Sequence, residues 1–389
     1  RLFDQGIRQG DVVAMFHDKE PADYALMLAC LRLGAACVNL DDKNPVARIT
    51  AILATCQPAA IFGPATLAQT AREACQAWGR EIFLLADDQA EPRVKPPESD
   101  VIGTDIAYIM FTSGSTGVPK GVAISHAQVS NLIDWAAEEF GIGSADTLAN
   151  ANPMYFDNSV FDFYAALFNG ATLAPLGAEV VQNPLALVNA VEKAECTLWF
   201  SVPSLLIYLV TTRVLTAERW PNVRCLAFGG EGYPVPELRK LFACFGQRAR
   251  LVNVYGPTEC TCICSAHEIG EPDLADSLSL PPIGRLARNF RGFLLEENIP
   301  VAPGEAGELC LAGPNVGLGY YREPGKTAEA FVPNTICDTH HERMYRTGDM
   351  MRIDPETGLL HFVGRRDHQF KHMGYRIEPG EIEAALNRI

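Results

Sequence analysis

Apolar residues in the first hundred positions alternate between two textures. Short runs at 11–16, 35–39, 59–62 and 81–85 carry branched and aromatic side chains and predict buried strands. Between them, 21–33, 44–55 and 66–78 place apolar residues at helical spacing, with Gly34 and Gly79 as stop signals behind two of them. Strands separated by single helices predict βαβ units with parallel pairing. Residues 87–104, with Pro92, Pro96, Pro97 and several acids, read as a surface linker. The alternation then resumes, with strands at 105–111 and 121–125 and a helix over 126–140. A turn and amphipathic helix follow within 156–170, a helix over 183–194, a strand over 197–200 and a helix over 202–210. A strand in 223–228, a helix from about 236 and a strand over 251–255 complete this α/β part. From about 280 the helical spacing fades, and strands at 289–295, 307–312, 351–353 and 359–363 between Gly and Pro turns predict a small antiparallel barrel or distorted sheet.

Composition narrows the options. The chain has 389 residues, 48% hydrophobic and 20% charged, as expected of a globular protein with a sizeable core. A net charge of −15 argues against nucleic acid as a partner, because a phosphate backbone demands a basic patch. No apolar run approaches the twenty residues of a membrane span. The 12 cysteines form no compact disulfide framework and no signal peptide opens the chain, which points to free thiols in a reducing cytoplasm. Cys260, Cys262 and Cys264, with His267 behind them, alternate as a strand would and read as small core side chains; zinc sites favour CxxC spacing.

Candidate chemistry begins at residue 112. The apolar strand stops at Thr112, Ser113, Gly114, Ser115, Thr116 and Gly117, and Pro119 and Lys120 precede the next strand. A hairpin turn needs only two to five residues. A Gly/Ser/Thr loop ending in Lys instead offers converging N–H groups, hydroxyls and a cation to an anion such as phosphate. The Walker loop differs, since it has Gly before its Lys and opens a helix.

At YIMFTSGSTGVPKG (108–121) the sequence resembles the adenylate-forming enzymes: acyl-CoA synthetases, luciferases and the adenylation enzymes of nonribosomal peptide synthesis. Further motifs resemble that family in its own order. They are LRLGAACVNLDDKNP (31–45), with Asn39 where the family has Pro, FDNS (156–159), FGGEG (228–232), YGPTE (255–259), residues 307–331, RTGD (346–349) and residues 364–386. The family's opening motif is absent.

The resemblance implies MgATP as cofactor and a set of roles. Thr112, Ser113, Gly114, Ser115, Thr116, Gly117 and Lys120 clamp the leaving phosphates. Gly229, Gly230 and Glu231 pass the adenine edge, Tyr255 stacks on adenine beside Gly256, and Asn253 contacts its amine. Thr258 touches the α-phosphate and Glu259 binds Mg²⁺. Asp349 holds the ribose hydroxyls, while Arg365 and Phe362 join the nucleotide site. Thr112, Lys120, Thr258, Glu259 and Arg365 carry catalysis.

The resemblance also implies a two-part organisation. An N-terminal core covers 1–366, with βαβ sub-domains over 1–280 and a β-rich sub-domain over 281–366; a small α+β lid domain begins at 367, with Asp367 as hinge. Roughly a hundred further residues are expected after residue 389, carrying a Lys that contacts the substrate. The sequence is therefore expected to be part of a longer chain.

In the amino-acid-activating branch, the position of Asp157 holds the substrate ammonium; an Asp before a helix can alternatively be a cap, and Asp162 competes for the same role. The implied pocket is Asp157, Asn158, Phe161, Phe200, Leu226, Phe228, Val254, Cys262 and Ile263, whose phenylalanines suit a small or slender aliphatic α- or β-amino acid. The implied partner is a carrier protein with a phosphopantetheine thiol, and residues 364–386 resemble stand-alone enzymes more than synthetase modules. An acyl- or aryl-CoA ligase would lack the Asp at 157. A catalytically incomplete nucleotide-binding domain would show a degenerate loop or lack Glu259, and only the unmatched Lys favours it.

Overall fold

The computed structural model describes residues 2–79, 82–84, 100–114, 118–276, 279–337, 340–366, 369–372 and 375–377. The first six strands are β1 (Val12–Phe16), β2 (Ala36–Leu40), β3 (Ala60–Gly63), β4 (Ile82–Leu84), β5 (Ile106–Thr112) and β6 (Lys120–Ser125). β1 is buried at all five positions, the mark of a parallel strand covered on both faces. β1 to β4 pair in parallel, β2 accepts β5, and β6 turns back antiparallel along β5. Most of the expected linker lies outside the described residues.

Two helices that flank the first sheet have local boundary signals. Helix Pro21–Leu33 opens with Pro at its first turn, and the Asp23 carboxylate accepts the Glu20 N–H at 3.0 Å. It stops at Gly34, in the left-handed region at φ 75°. Ser125 ends β6 and caps helix His126–Phe140: its N–H donates to Gln128 Oε1 at 2.7 Å while its hydroxyl accepts from the Gln128 N–H.

The second sheet comprises β7 (Thr147–Asn150), β8 (Thr172–Pro175), β9 (Leu198–Ser201), β10 (Cys225–Gly229), β11 (Arg250–Tyr255), β12 (Ser265–Glu268) and β13 (Arg285–Leu286), in the order 13-12-11-10-9-7-8. β7 to β11 pair in parallel and β12 and β13 antiparallel. The expected single helix within 156–170 is interrupted. Short α segments Asn158–Val160 and Ala166–Phe168 flank a π segment, Phe161–Ala165, whose wider turn buries five consecutive residues. The Cys260–Cys264 stretch is not a strand either: a 3₁₀ turn, Thr258–Cys260, leads into left-handed Thr261 and Cys262.

The third sheet holds β14 (Arg291–Glu296), β15 (Ile299–Pro300), β16 (Ala306–Ala312), β18 (Phe331–Pro333), β19 (Arg343–Ile353) and β20 (Leu360–Arg365). Its strands are antiparallel, and among the described residues the path does not close into a barrel. β19 is longer than expected because its Thr-Gly-Asp, which reads as a turn, is an irregularity inside the strand: Gly348 has φ 72° and its N–H donates to Glu308 Oε1. β17 (Gly319–Tyr320) returns to β6, so this region is stitched to the first sheet. Buried residues of both large sheets, helix His126–Phe140 and the π segment form one core cluster; the outer faces have their own. No described helix is long and apolar enough to cross a membrane.

Where β7 and β10 begin, Arg224 Nε and Nη2 donate to the two oxygens of Asp146 at 2.9 Å each, and Arg224 also donates to the Phe140 and Gly141 carbonyls. Burial alone would raise the Asp146 carboxyl; bonds from Arg224, Thr197 and the Gly143 N–H outweigh it and hold the carboxyl below its usual range. Arg224→Ala is expected to cost about 2–3 kcal/mol at pH 7. A depressed folded value makes this stabilisation complete above about pH 5 and lost as pH falls through about 4 and below. Urea unfolding across that range should therefore show the gap between wild type and variant closing on acidification.

Candidate active site

The site forms where β5 and β11 end, β6 begins and β19 pairs with β20. Thr112 and Lys120 face each other as the last β5–β6 pair. At Gly114, a Cβ would lie 2.2 Å from the Val118 carbonyl oxygen, so the loop closes only with glycine there. Ser113 is buried, and the Thr112 hydroxyl is buried with no hydrogen-bond partner among the described residues. An orphaned donor costs stability unless something arrives to pair with it. The Lys120 ammonium lies 5.0 Å above the Tyr320 ring, and the Tyr320 hydroxyl donates to Glu259 Oε1 at 2.9 Å. β6, β17 and the turn after β11 thus gather a cation, a phenol and a fully buried carboxylate. Ser115, Thr116, Gly117 and Asp367 lie outside the described residues.

β11 ends at Tyr255, and at Gly256 the chain passes so close to Cys262 that a Cβ would sit 2.1 Å from its carbonyl oxygen. This turn presents Thr258 to Asp157, whose Oδ2 accepts the Thr258 hydroxyl at 2.6 Å. Asp157 makes no side-chain cap to the following helix. Across the cleft, Asp349 on β19 accepts from the Tyr255 hydroxyl and from Arg365 Nη1, both at 2.5 Å. Arg365 stands opposite Asp349 on β20. Burial, and then the Asp349 carboxylate beside it, push the Tyr255 phenol far up, so it remains a neutral donor. Asn253 donates its amide to the Pro282 carbonyl at 2.8 Å. Gly229 runs against β11, where a Cβ would approach the Val254 carbonyl oxygen to 2.3 Å.

Two clefts meet here. One of about 100 Å³ is bounded by Thr112, Ser113, Asp157, Gly256 and Thr258. The other, about 450 Å³, is bounded by Gly230, Glu231, Asn253, Val254 and Phe362. Tyr255, Asp349, Arg365 and Gln369 line both. Gln369, Arg48 and Tyr155 were not singled out from the sequence. A Gln two residues past the expected hinge, and an Arg inside an ordinary amphipathic helix, give no signal of their own until the sheets assemble.

The expected pocket residues divide. Phe161, Phe200, Val254, Cys262 and Ile263 are buried in the core cluster between the sheets, with the Phe161 and Phe200 rings edge to face at 5.3 Å, and half-buried Asn158 adjoins Asp157. Leu226 and Phe228 do not join them: they pack on the opposite face of β10 with Trp199, Leu206 and Tyr233. Strand period two explains the correction, since their neighbours Cys225 and Ala227 face the Phe161 side. Ala227 stands beside Phe200 in the β9–β10 register.

The three clustered cysteines are buried, and His267 bonds Asp273 at 3.0 Å instead of joining them. Among the described residues, the metal-ligating groups that do gather are Cys337, His340 and Glu342, and Glu342 already pairs with Arg291 and Asn334.

Comparison with known proteins identifies the family. The sequence model described as "AMP-binding enzyme" matches residues 1–321. An L-proline--[L-prolyl-carrier protein] ligase from Pseudomonas fluorescens is 36% identical over 98% of this chain and 74% of its own length. One from Streptomyces coelicolor is 34% identical over 100% of this chain and 75% of its own. Surfactin synthase subunit 3 of Bacillus subtilis is 33% identical over 99% of this chain but 30% of its own. Among solved structures, an NRPS protein containing adenylation and PCP domains, bound to a vinylsulfonamide inhibitor, superposes with a TM-score of 0.86 at 27% identity, covering 100% of this chain and 64% of that one. The ordered motifs, the two large sheets and these matches together establish that the chain belongs to the AMP-binding enzyme family.

Proposed function

We propose that this protein activates a small amino acid with ATP, forming an aminoacyl adenylate and pyrophosphate, and passes the aminoacyl group to the phosphopantetheine thiol of a carrier protein. The observation that carries the proposal is the Thr258–Asp157 bond, which joins the residue expected to hold an ammonium to the one expected at the α-phosphate. In-line attack by the amino acid carboxylate on the α-phosphorus requires those two groups side by side.

The chain's own residues then supply positioning and charge. Asp157 offers a carboxylate to an ammonium leaving water. Thr258 and Arg365, which line the smaller cleft, face the α-phosphate, and Thr112 and Ser113, with Lys120 opposite Thr112 on the neighbouring strand, receive the leaving pyrophosphate. Tyr255 and Asn253 flank the larger cleft as the base site, with Asp349 for the ribose. Glu259, a buried carboxylate that accepts from the neutral Tyr320 hydroxyl and keeps its charge, offers the hard oxygen ligand that suits a small hard cation. Glu259 would hold Mg²⁺, which neutralises phosphate charge when bound. After adenylate formation, the carrier thiol attacks the acyl carbonyl and AMP departs.

L-proline is the first candidate substrate. Two relatives are named for it, and the Phe161–Phe200 wall suits a short apolar side chain. Ala227, rather than Leu226 or Phe228, is the β10 residue proposed to bound the pocket.

Amino-acid-dependent ATP–pyrophosphate exchange by the full-length protein tests this across L-proline, small aliphatic α- and β-amino acids and plain carboxylic acids. Exchange is expected with one small amino acid; exchange with an acid lacking an amine would instead favour an acyl-CoA ligase. Asp157→Ala is expected to lower exchange by at least about 100-fold while ATP binding persists. Glu259→Gln should lose about as much, and near-normal exchange in that variant would remove Glu259 from the metal site.

A further inference from the structure

Asp162 remains unused by this scheme. It is 1% exposed, five residues beyond Asp157, on the π segment that begins at Phe161. Its Oδ2 accepts from Asn150 Nδ2 and Asn152 Nδ2, each at 3.0 Å. Those amides are engaged further. Asn152 Nδ2 also donates to the Phe200 carbonyl at 2.9 Å, and Asn150 Oδ1 accepts the Tyr24 hydroxyl at 2.7 Å. Lys19, beyond β1 in the first sheet, donates its ammonium to the Asn150 and Leu176 carbonyls at 2.6 and 2.9 Å. Tyr24 stacks on Phe163, next to Asp162, with ring centroids 5.9 Å apart.

We infer that Asp162, Asn150, Asn152 and Lys19 form a brace between the first sheet and the amino-acid pocket, in which Asp162 is a positioning residue that sets the Phe161–Phe200 wall and so governs amino-acid affinity and discrimination. The inference rests on the reading of Asp157 and its surroundings as the amino-acid site. A substrate ammonium has no access to a carboxylate this deeply buried and already bound by two amides, so Asp162 does not share the role of Asp157. The two contacts to the wall are specific. Asp162 is joined to Phe161 through the backbone, and Asn152 ties the same carboxylate to the Phe200 carbonyl. Lys19 holds its side of the brace with a backbone φ of 64°, outside the usual range for a residue with a Cβ. Burial pushes the Asp162 carboxyl up and the Lys19 ammonium down, and their mutual attraction opposes both shifts. Loss of either charge therefore leaves the other costly to keep.

Asp162→Asn, Asn152→Ala and Lys19→Met test the brace in the full-length protein by amino-acid-dependent exchange. KM for the amino acid is expected to rise about 10-fold, with KM for ATP unchanged and discrimination against larger side chains reduced. Lys19→Arg should recover part of the loss. Binding of a fluorescent ATP analogue reports folding of each variant, and if Asp162→Asn fails to fold, Asn152→Ala and Lys19→Met carry the test. Equal increases in both KM values, or a fall in kcat alone with unchanged discrimination, would overturn the brace and leave the reading of the site intact. Loss of all exchange in Asp162→Asn with ATP binding retained would overturn it in favour of a direct ammonium contact. Wild-type exchange with an acid lacking an amine would overturn both.

Discussion

Three carboxylates, Asp157, Glu259 and Asp349, surround a site proposed to receive a polyphosphate. Unpaired, they would repel it and each other. Each is met by a donor from a different part of the chain: Asp157 by Thr258, Glu259 by Tyr320, Asp349 by Tyr255 and Arg365. Three of these donors are neutral hydroxyls, which hold a carboxylate in position without cancelling its charge. In the proposed reaction the carboxylates would stay available to a cation, an ammonium or ribose hydroxyls, while Lys120 and Arg365 would bring the positive charge the phosphates require. In a protein of net charge −15, this local arrangement sets the chemistry, not the overall balance.

The scaffold brings these pairs together through strand ends. The Glu259 partner arrives on β17, a two-residue strand that returns to the first sheet, and the Asp349 partners come from β11 and β20. Close backbone approaches at Gly114 and Gly256 let the turns bend tightly enough to present their side chains. Behind the proposed pocket wall lies a second layer, in which the buried amide of Asn152 bridges Asp162 and the Phe200 carbonyl in place of the apolar contacts usual at that depth.

Much of this architecture was legible beforehand for physical reasons. Parallel strands covered on both faces are continuous apolar runs, and β1 to β3 are such runs; Gly34 and Gly79 stop helices because only a residue tolerant of positive φ fits there. The loop at 112–120 stood out because so many small and hydroxylated residues have no packing use. The π segment escaped, since one extra residue per turn leaves no trace in an apolar sequence. Thr-Gly-Asp has turn chemistry and so shortens the strand that sequence predicts at β19; only pairing with β16 and β20 makes it a strand.

Residue types and local spacing determined which positions carry chemistry: a carboxylate, a hydroxyl, a lysine behind a flexible loop. These are properties of the side chains themselves and survive any fold. Which face a strand residue takes was decided elsewhere. Leu226 and Phe228 are as apolar as Cys225 and Ala227, and nothing in β10 alone distinguishes the two sets; the choice is made by what the neighbouring strands and helices pack against them. The same holds for Thr258 with Asp157 and Tyr255 with Asp349, about a hundred residues apart in sequence. The first bond exists only once the second sheet has assembled, the second only once the third sheet has closed on it, and tertiary structure alone decides which donor meets which acceptor.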